Sequence, residues 1–281
     1  MFANKSMMKT LSYFNFMMLM FLLLAPGTRA ITIQENIHFL VVTNIENEKK
    51  SGLKIMALAP TQIIKAAVVL FSGGRGILKF RRQSPISSKN FLIRSRQSFA
   101  NKGYLTVIVG APTIKSKRGI IGYRTTNDYA IHIREVLRWI RKRTNRPIFL
   151  VGTSRGSIAV AALASRLSVA GVVFSASVTR KSYRNRPTIF DAELSNIISP
   201  TLLMHHVDDQ CIVAPTTGVT MLEKTLTSAS SLQKVLIKGG HSGDGRICGG
   251  LSYHGYLGVE DVAVSTISNW IDKQLAQNKT K

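Results

Sequence analysis

Along most of this chain, short uninterrupted apolar runs alternate with longer stretches whose apolar residues recur every three or four positions. Ala66–Phe71 is wholly apolar and runs straight into Ser72-Gly73-Gly74-Arg75-Gly76, so it reads as a strand buried on both faces and closed by a turn. Leu105–Val109, Pro147–Val151, Gly171–Phe174, Thr201–His205 and Lys234–Lys238 read the same way, with Ile37–Thr43 and Lys54–Ala59 as leading strands. Between them lie helical patterns. From Asn127 to about Arg143 the apolar residues Ile131, Ile133, Val136, Leu137 and Ile140 share one helical face. Ser157–Leu167 is rich in Ala and Leu, as a buried helix is. Val259–Leu275 closes the pattern as an amphipathic helix predicted to turn Val262, Val264, Ile267, Trp270 and Ile271 inward. Strands alternating with helices predict an α/β fold: a mostly parallel central sheet flanked by helices. The only room for a lid is Val178–Ser199, which is too short for a large cap domain.

The first thirty residues carry a different pattern. Lys5 and Lys9 precede an apolar run, Phe16–Ala25, followed by Pro26-Gly27-Thr28-Arg29-Ala30, with no acidic residue before Glu35. A sparse positive start, a short apolar stretch and a small residue at the end are the marks of a secretory signal peptide. The run is shorter than the roughly 20 apolar residues that cross a bilayer. The expected organisation is a signal peptide at 1–30 and one domain at 31–281, exported to the periplasm or beyond.

Composition narrows the function. With 281 residues, 45% of them hydrophobic, the chain can bury a sizeable core, and its 2 Cys exclude a Cys-rich zinc module or an iron–sulfur site. Lys+Arg 38 against Asp+Glu 14 gives a formal charge of +24. The basic residues fall in separate groups: Lys79/Arg81/Arg82, Arg94/Arg96, Lys115/Lys117/Arg118, Arg141/Lys142/Arg143/Arg146 and Arg180/Lys181/Arg184/Arg186. No base-reading module accompanies them, so specific nucleic-acid recognition is not expected. A charge of this size does favour non-specific contact with anionic envelope surfaces.

The strongest chemical signal is Gly152-Thr153-Ser154-Arg155-Gly156, a G-x-S-x-G match with the strand Ile148–Val151 immediately before it and an Ala-rich helix immediately after. A Ser on a sharp strand-to-helix turn projects its hydroxyl out of the sheet, and small neighbours relieve the crowding there. The plainer alternative is a Ser that caps the helix. A nucleophilic Ser needs a base to take its proton and a third group to orient that base. Downstream, His205-His206-Val207-Asp208-Asp209 ends a strand, so Asp208 and Asp209 compete for the acid. His241 and His254 both lie between the last strand and the last helix, in the order a Ser, acid, His triad requires. His38 and His132 carry no such context, and His132 is expected on a helix surface.

Cys211 follows the acid pair and Cys248 lies between the two candidate histidines. An even Cys count in an exported chain favours a Cys211–Cys248 disulfide, which would pin the His-bearing loop to the acid-bearing loop. An oxyanion hole needs backbone N–H donors. The amide of Arg155 is one candidate; the glycine loop after Phe71 offers Gly74 or Arg75. That loop lacks the G-K-[ST] ending of a phosphate-binding loop. Arg155 places a cation at a helix N-terminus, where the dipole disfavours it. It is expected either to hold an anionic substrate group or to reach a nearby carboxylate. No constellation in the sequence calls for a metal or cofactor.

Across essentially the whole of 31–281 the sequence resembles the α/β-hydrolase superfamily, and more narrowly a group of exported bacterial hydrolases. The shared stretches are Phe71-Ser72-Gly73-Gly74, Asn90-Phe91-Leu92-Ile93-Arg94-Ser95-Arg96, Val151–Gly156, His205-His206-Val207-Asp208-Asp209-Gln210-Cys211, and Cys248 leading into His254-Gly255-Tyr256-Leu257-Gly258-Val259-Glu260. In the superfamily the acid usually falls four residues after the strand-end His, which selects Asp209. In the narrower group the H-G-[FY]-x-G-x-E element carries the recurring His, which favours His254 over His241. The resemblance implies a serine hydrolase acting on a small-molecule or lipid-like ester through an acyl-enzyme. A serine peptidase and a hydrolase-fold protein that binds anionic surfaces without turnover are the alternatives.

Overall fold

The computed structural model describes residues 33–43, 50–60, 63–80, 87–182, 184–243 and 245–277. The expected signal peptide lies outside them. In chain order the elements are β1 (Gln34–Thr43), β2 (Lys50–Ala59), β3 (Ala66–Phe71), α1 (Phe91–Arg94), α2 (Arg96–Asn101), β4 (Tyr104–Pro112), α3 (Asn127–Arg141), β5 (Ile148–Thr153), α4 (Arg155–Ala164), β6 (Gly171–Ser175), β7 (Thr201–His206), α5 (Thr217–Thr225), β8 (Leu232–Ile237) and α6 (Glu260–Gln277).

The strands form one sheet in the order β1-β2-β4-β3-β5-β6-β7-β8. β1 pairs antiparallel with β2 and β2 antiparallel with β4, while every pair from β4 to β8 is parallel. The buried parallel strands account for the continuous apolar runs, since both of their faces are covered. Side-chain alternation splits each run between two cores. Ala67, Val69 and Phe71 of β3 join Ile133, Val136, Leu137 and Ile140 of α3, together with much of α4 and α5. Ala66, Val68 and Leu70 face Leu92, Phe99, Val264, Ile267, Trp270 and Ile271 from α1, α2 and α6. Thr126 caps α3 by accepting from the Tyr129 N–H, and Asp128 in the first turn suits the helix dipole.

Three departures from the sequence reading have physical causes. Segment 87–103, to which the pattern assigned no element, forms α1 and α2. They are too short to show a periodic stripe. Val262 is exposed, because the inward face of α6 runs through Ala263, Val264, Ile267, Trp270 and Ile271. His132 is buried rather than on the surface: α3 lies against β1, and the His132 ring meets the Ser51 hydroxyl and the Asp128 carbonyl. No helix among the described residues is long and apolar enough to cross a membrane. Among the described residues between Val178 and Ser199 the chain makes two short 3-10 turns, held down by buried Ile189, Leu194 and Ile197, and no large cap is seen there.

The sheet order places the site. The chain runs from β3 outward to β4, then crosses back over β3 to β5, so connections leave in opposite directions from the β3/β5 pair. Such a switch point leaves a crevice at the carboxyl ends of the two strands. Phe71 pairs with Gly152, so the glycine loop after β3 and Ser154 after β5 emerge side by side.

Candidate active site

Ser154 sits between β5 and α4 with φ 54° and ψ −126°, a conformation rarely adopted by a non-glycine residue. It makes no side-chain cap hydrogen bond, so the capping alternative is not realised. Its N–H donates to the Ser175 carbonyl at 2.9 Å, and its own carbonyl accepts from the Ser157 N–H and hydroxyl. The two motif glycines are needed for space. A Cβ on Gly152 would lie 2.5 Å from the Gly156 carbonyl oxygen, and one on Gly156 would lie 2.0 Å from that of Phe71.

Opposite Ser154 lies the glycine loop. A Cβ on Gly73 would come within 2.9 Å of the Ser154 Cβ, so only glycine lets the loop approach the hydroxyl. The Gly76 N–H bonds the Gly73 carbonyl across a turn in which Gly74 takes φ +59°. Among the described residues the N–H groups of Gly74, Arg75 and Arg155 meet no backbone carbonyl outside a helix, which leaves them available as donors. Gly73 and Gly74 line the cleft, whereas the Arg75 side chain turns away to the carbonyls of Lys117 and Arg118.

The candidate acid lies in the turn after β7. Asp209 is buried; Asp208 is exposed. Asp209 Oδ2 stands 2.8 Å from His254 Nδ1 and 3.2 Å from His205 Nε2, and Oδ1 accepts from the Cys211 N–H at 2.9 Å. A carboxylate only accepts, so Nδ1 of His254 carries a proton and Nε2 is left as the acceptor nitrogen. That Nε2 is buried and has no partner. Burial pushes the Asp209 carboxyl up, but hydrogen bonds from His205 and His254 and the charge on those rings outweigh it and hold it down at about 2. The group is therefore ionised throughout any working pH range. Its lowered value adds stability above the ordinary carboxylate range, and that stability fades as the pH falls toward 2.

Ser154 and His254 both line a cleft of about 200 Å³, together with Gly73, Gly74, Asn90, Phe91, Thr153, Cys248, Gly250 and Gly255. His241 is not part of it. Its ring is exposed and packs beside Gly258, and its N–H bonds the Leu257 carbonyl. Among the described residues no group of three or more His, Cys, Asp or Glu side chains is arranged to hold a metal ion.

Two crosslinks hold the His254 loop. Cys211 and Cys248 form a disulfide with a Cα–Cα distance of 4.6 Å, which joins the turn carrying Asp209 to the loop lining the cleft. Arg94 supplies the second. Its guanidinium donates to the carbonyls of Lys89, Gly250 and Gly255 at 2.7, 2.8 and 2.5 Å and to Glu260 Oε1 at 2.8 and 3.0 Å. Arg94 and Arg96 thus leave the basic surface: Arg96 is buried against Glu35. The sequence grouped them only as cations. The signal for their real role is the co-occurrence of Asn90–Arg96 with His254–Glu260, which the fold brings together. Lys at position 94 keeps the charge but not the planar fork that reaches three carbonyls and a carboxylate. Arg94→Lys is expected to lower kcat for an activated ester about tenfold, with KM within twofold and the circular dichroism unchanged. An unaltered kcat would remove Arg94 from the positioning of His254.

No protein-family model matches the sequence, and no curated protein matches it. Solved structures do. A cold-adapted esterase from an Arctic intertidal metagenomic library aligns with a TM-score of 0.58 at 12% identity, over 86% of this chain and 95% of that one. An alpha-beta serine hydrolase homologue from Coxiella burnetii aligns at 0.56 and 17% identity, over 83% and 96%. A thermostable carboxyl esterase from Bacillus coagulans aligns at 0.57 and 11% identity, over 85% and 99%. Together with the eight-stranded, mostly parallel sheet and its flanking helices, these likenesses establish that the chain has the α/β-hydrolase fold.

Proposed function

We propose that the protein is a serine hydrolase that cleaves carboxylic esters through an acyl-enzyme, with Ser154, His254 and Asp209 as its triad. The observation that carries this reading is the 2.8 Å bond from His254 Nδ1 to Asp209, with the opposite ring nitrogen without a partner and His254 and Ser154 lining the same cleft. His254 Nε2 takes the Ser154 proton as Oγ attacks the ester carbonyl carbon, while Asp209 orients the ring and stabilises the imidazolium. The carbonyl oxygen becomes an oxyanion that accepts from the N–H of Arg155 and from that of Gly74 or Arg75. Collapse breaks the bond to the alkoxy oxygen, which leaves with the proton from His254. Water then attacks the acyl-Ser154 ester with His254 again as base, and the acid is released. The esterase and hydrolase neighbours support this class, and the disulfide supports an oxidising, exported setting.

The test is fluorophosphonate labelling of the protein beside Ser154→Ala, with turnover of p-nitrophenyl acetate to octanoate run in parallel. Labelling and turnover that vanish together in the variant are expected. A folded, disulfide-intact protein that does not label would overturn the reading and favour a binding protein for anionic surfaces.

A further inference from the structure

One polar side chain in the wall of the cleft has no partner in the fold. Asn90 lines the same space as Ser154 and His254. It stands just before α1, where a short polar side chain ordinarily caps the helix by accepting from a backbone N–H. Here it makes no cap bond. Its Oδ1 is buried without a partner, and among the described residues its Nδ2 makes no hydrogen bond either.

The backbone beneath this amide is held from several directions. The Asn90 N–H donates to the Ser88 hydroxyl at 3.2 Å, and its carbonyl accepts from the N–H groups of Ile93 and Arg94 at 3.2 and 3.0 Å. Phe91, Leu92 and Ile93 follow it into the core. A Cβ on Gly250 would come within 3.1 Å of the Asn90 nitrogen, so the loop that carries His254 packs against the same peptide. An unused amide on so firm a mount is preorganised for a group that enters the cleft.

The glycine loop shows what the amide faces. A Cβ on Gly73 would stand 2.9 Å from Ser154 Cβ, 3.1 Å from the Thr153 carbonyl oxygen and 3.5 Å from Asn90 Nδ2. The space that glycine leaves open is therefore bounded by the nucleophilic residue on one side and by the amide nitrogen on another. Gly74, the next residue, carries one of the available backbone N–H groups. The orientation of the amide suits a donor. With Oδ1 inward, the buried end lacks a partner for one acceptor atom; turned over, it would bury an NH2 with two unmet donors, the costlier arrangement.

We propose that Asn90 is a further catalytic residue, whose side-chain N–H donates to the oxyanion of the tetrahedral intermediate beside the backbone donors. The proposal rests on the serine-hydrolase reading. The bond strengthens as the carbonyl oxygen takes up charge and weakens when the carbonyl re-forms, so it acts in kcat and not in KM. No proton is transferred, and Nδ2 keeps both hydrogens. Losing one preorganised donor of this kind slows turnover by about 10²- to 10³-fold.

The experiment measures kcat and KM for p-nitrophenyl butyrate and for its thiono analogue, in which sulfur replaces the carbonyl oxygen. Sulfur accepts hydrogen bonds weakly, so an oxyanion donor favours the oxygen ester. Asn90→Ala is expected to lower kcat for the oxygen ester about a hundredfold with KM within twofold, and to shrink the preference for oxygen over sulfur at least tenfold. Asn90→Asp keeps the shape but loses the donor, and it should lose at least as much. Because the side chain bonds to nothing, Asn90→Ala should keep its Tm within about 2 °C. Turnover within threefold of the parent in both variants overturns the proposal. So does a loss confined to KM, or a loss that leaves the oxygen-to-sulfur preference unchanged, since a structural role would slow both esters alike. A parent protein that turns over neither ester ends the hydrolase reading and this role with it, whereas a parent that turns them over while the variants match it ends the role of Asn90 alone.

Discussion

His254→Ala is expected to lower kcat/KM for p-nitrophenyl butyrate by about 10³-fold or more, while His241→Ala leaves it within twofold. The two histidines were equivalent as positions in a chain, both following the acid and both preceding the last helix. The fold separates them by burial and by partner. His254 is 4% exposed and bonds Asp209, which is itself shielded and ionised; His241 is exposed, and among the described residues its ring has no carboxylate partner. A base without an oriented partner spends its time in unproductive rotamers and tautomers, so His241 cannot substitute. Asp209→Asn should behave like a milder His254→Ala, because an amide at that position can accept from Nδ1 but no longer stabilises the imidazolium. The pH profile gives an independent check. With the Asp209 carboxyl near 2, an acidic limb of kcat/KM above about pH 4 belongs to a group other than Asp209. A loss that tracked His241, or comparable losses at both positions, would reverse the assignment.

How much of this was legible in the sequence depends on how local each signal is. The parallel strands β3, β5, β6 and β7 were readable because each is buried on both faces, so burial wrote itself as an unbroken apolar run. Ser154 was readable because the sharp turn needs small residues at fixed offsets, and the spaces at Gly152 and Gly156 explain why those offsets hold. His132 was misjudged because a polar residue on a helix gives no hint of the sheet that covers it. Arg94 was taken for a surface cation because its carboxylate partner, Glu260, lies 166 residues away in the chain. The disulfide was inferred from count and compartment, but its place in the cleft wall was not, since that depends on the loop between β8 and α6 folding back over the switch point. Asp209 shows the same limit from another side. The resemblance selected it over Asp208, while the second histidine on its carboxylate, His205, became visible only once β7 placed both on one turn.

Opening the Cys211–Cys248 disulfide is expected to disable the site before it unfolds the protein. The bond closes a separation of 37 residues, and a loop of that length restrains the unfolded chain by about 4 kcal/mol in the chain-entropy account. For a domain of this size that corresponds to a fall in Tm of roughly 8–15 °C, which leaves the sheet intact at low temperature. The site has less margin. Cys211 N–H is one of the donors that fix the Asp209 carboxylate, and Cys248 lines the cleft beside His254. Between Cys248 and His254 the chain is short and glycine-rich, so once the bond is gone the His254 loop is held chiefly by Arg94 and by the hydrogen bonds from Ser252 to Ile247 and Gly249. Cys211→Ser/Cys248→Ser, or the reduced protein, should keep its far-ultraviolet spectrum at 15 °C yet label with a fluorophosphonate at least tenfold more slowly. Combining the change with Arg94→Lys should cost more than the product of the separate effects, because each crosslink partly covers for the other on the same loop. Equal labelling rates in the oxidised and reduced proteins, measured while both are folded, would show that the disulfide holds the fold and not the catalytic loop.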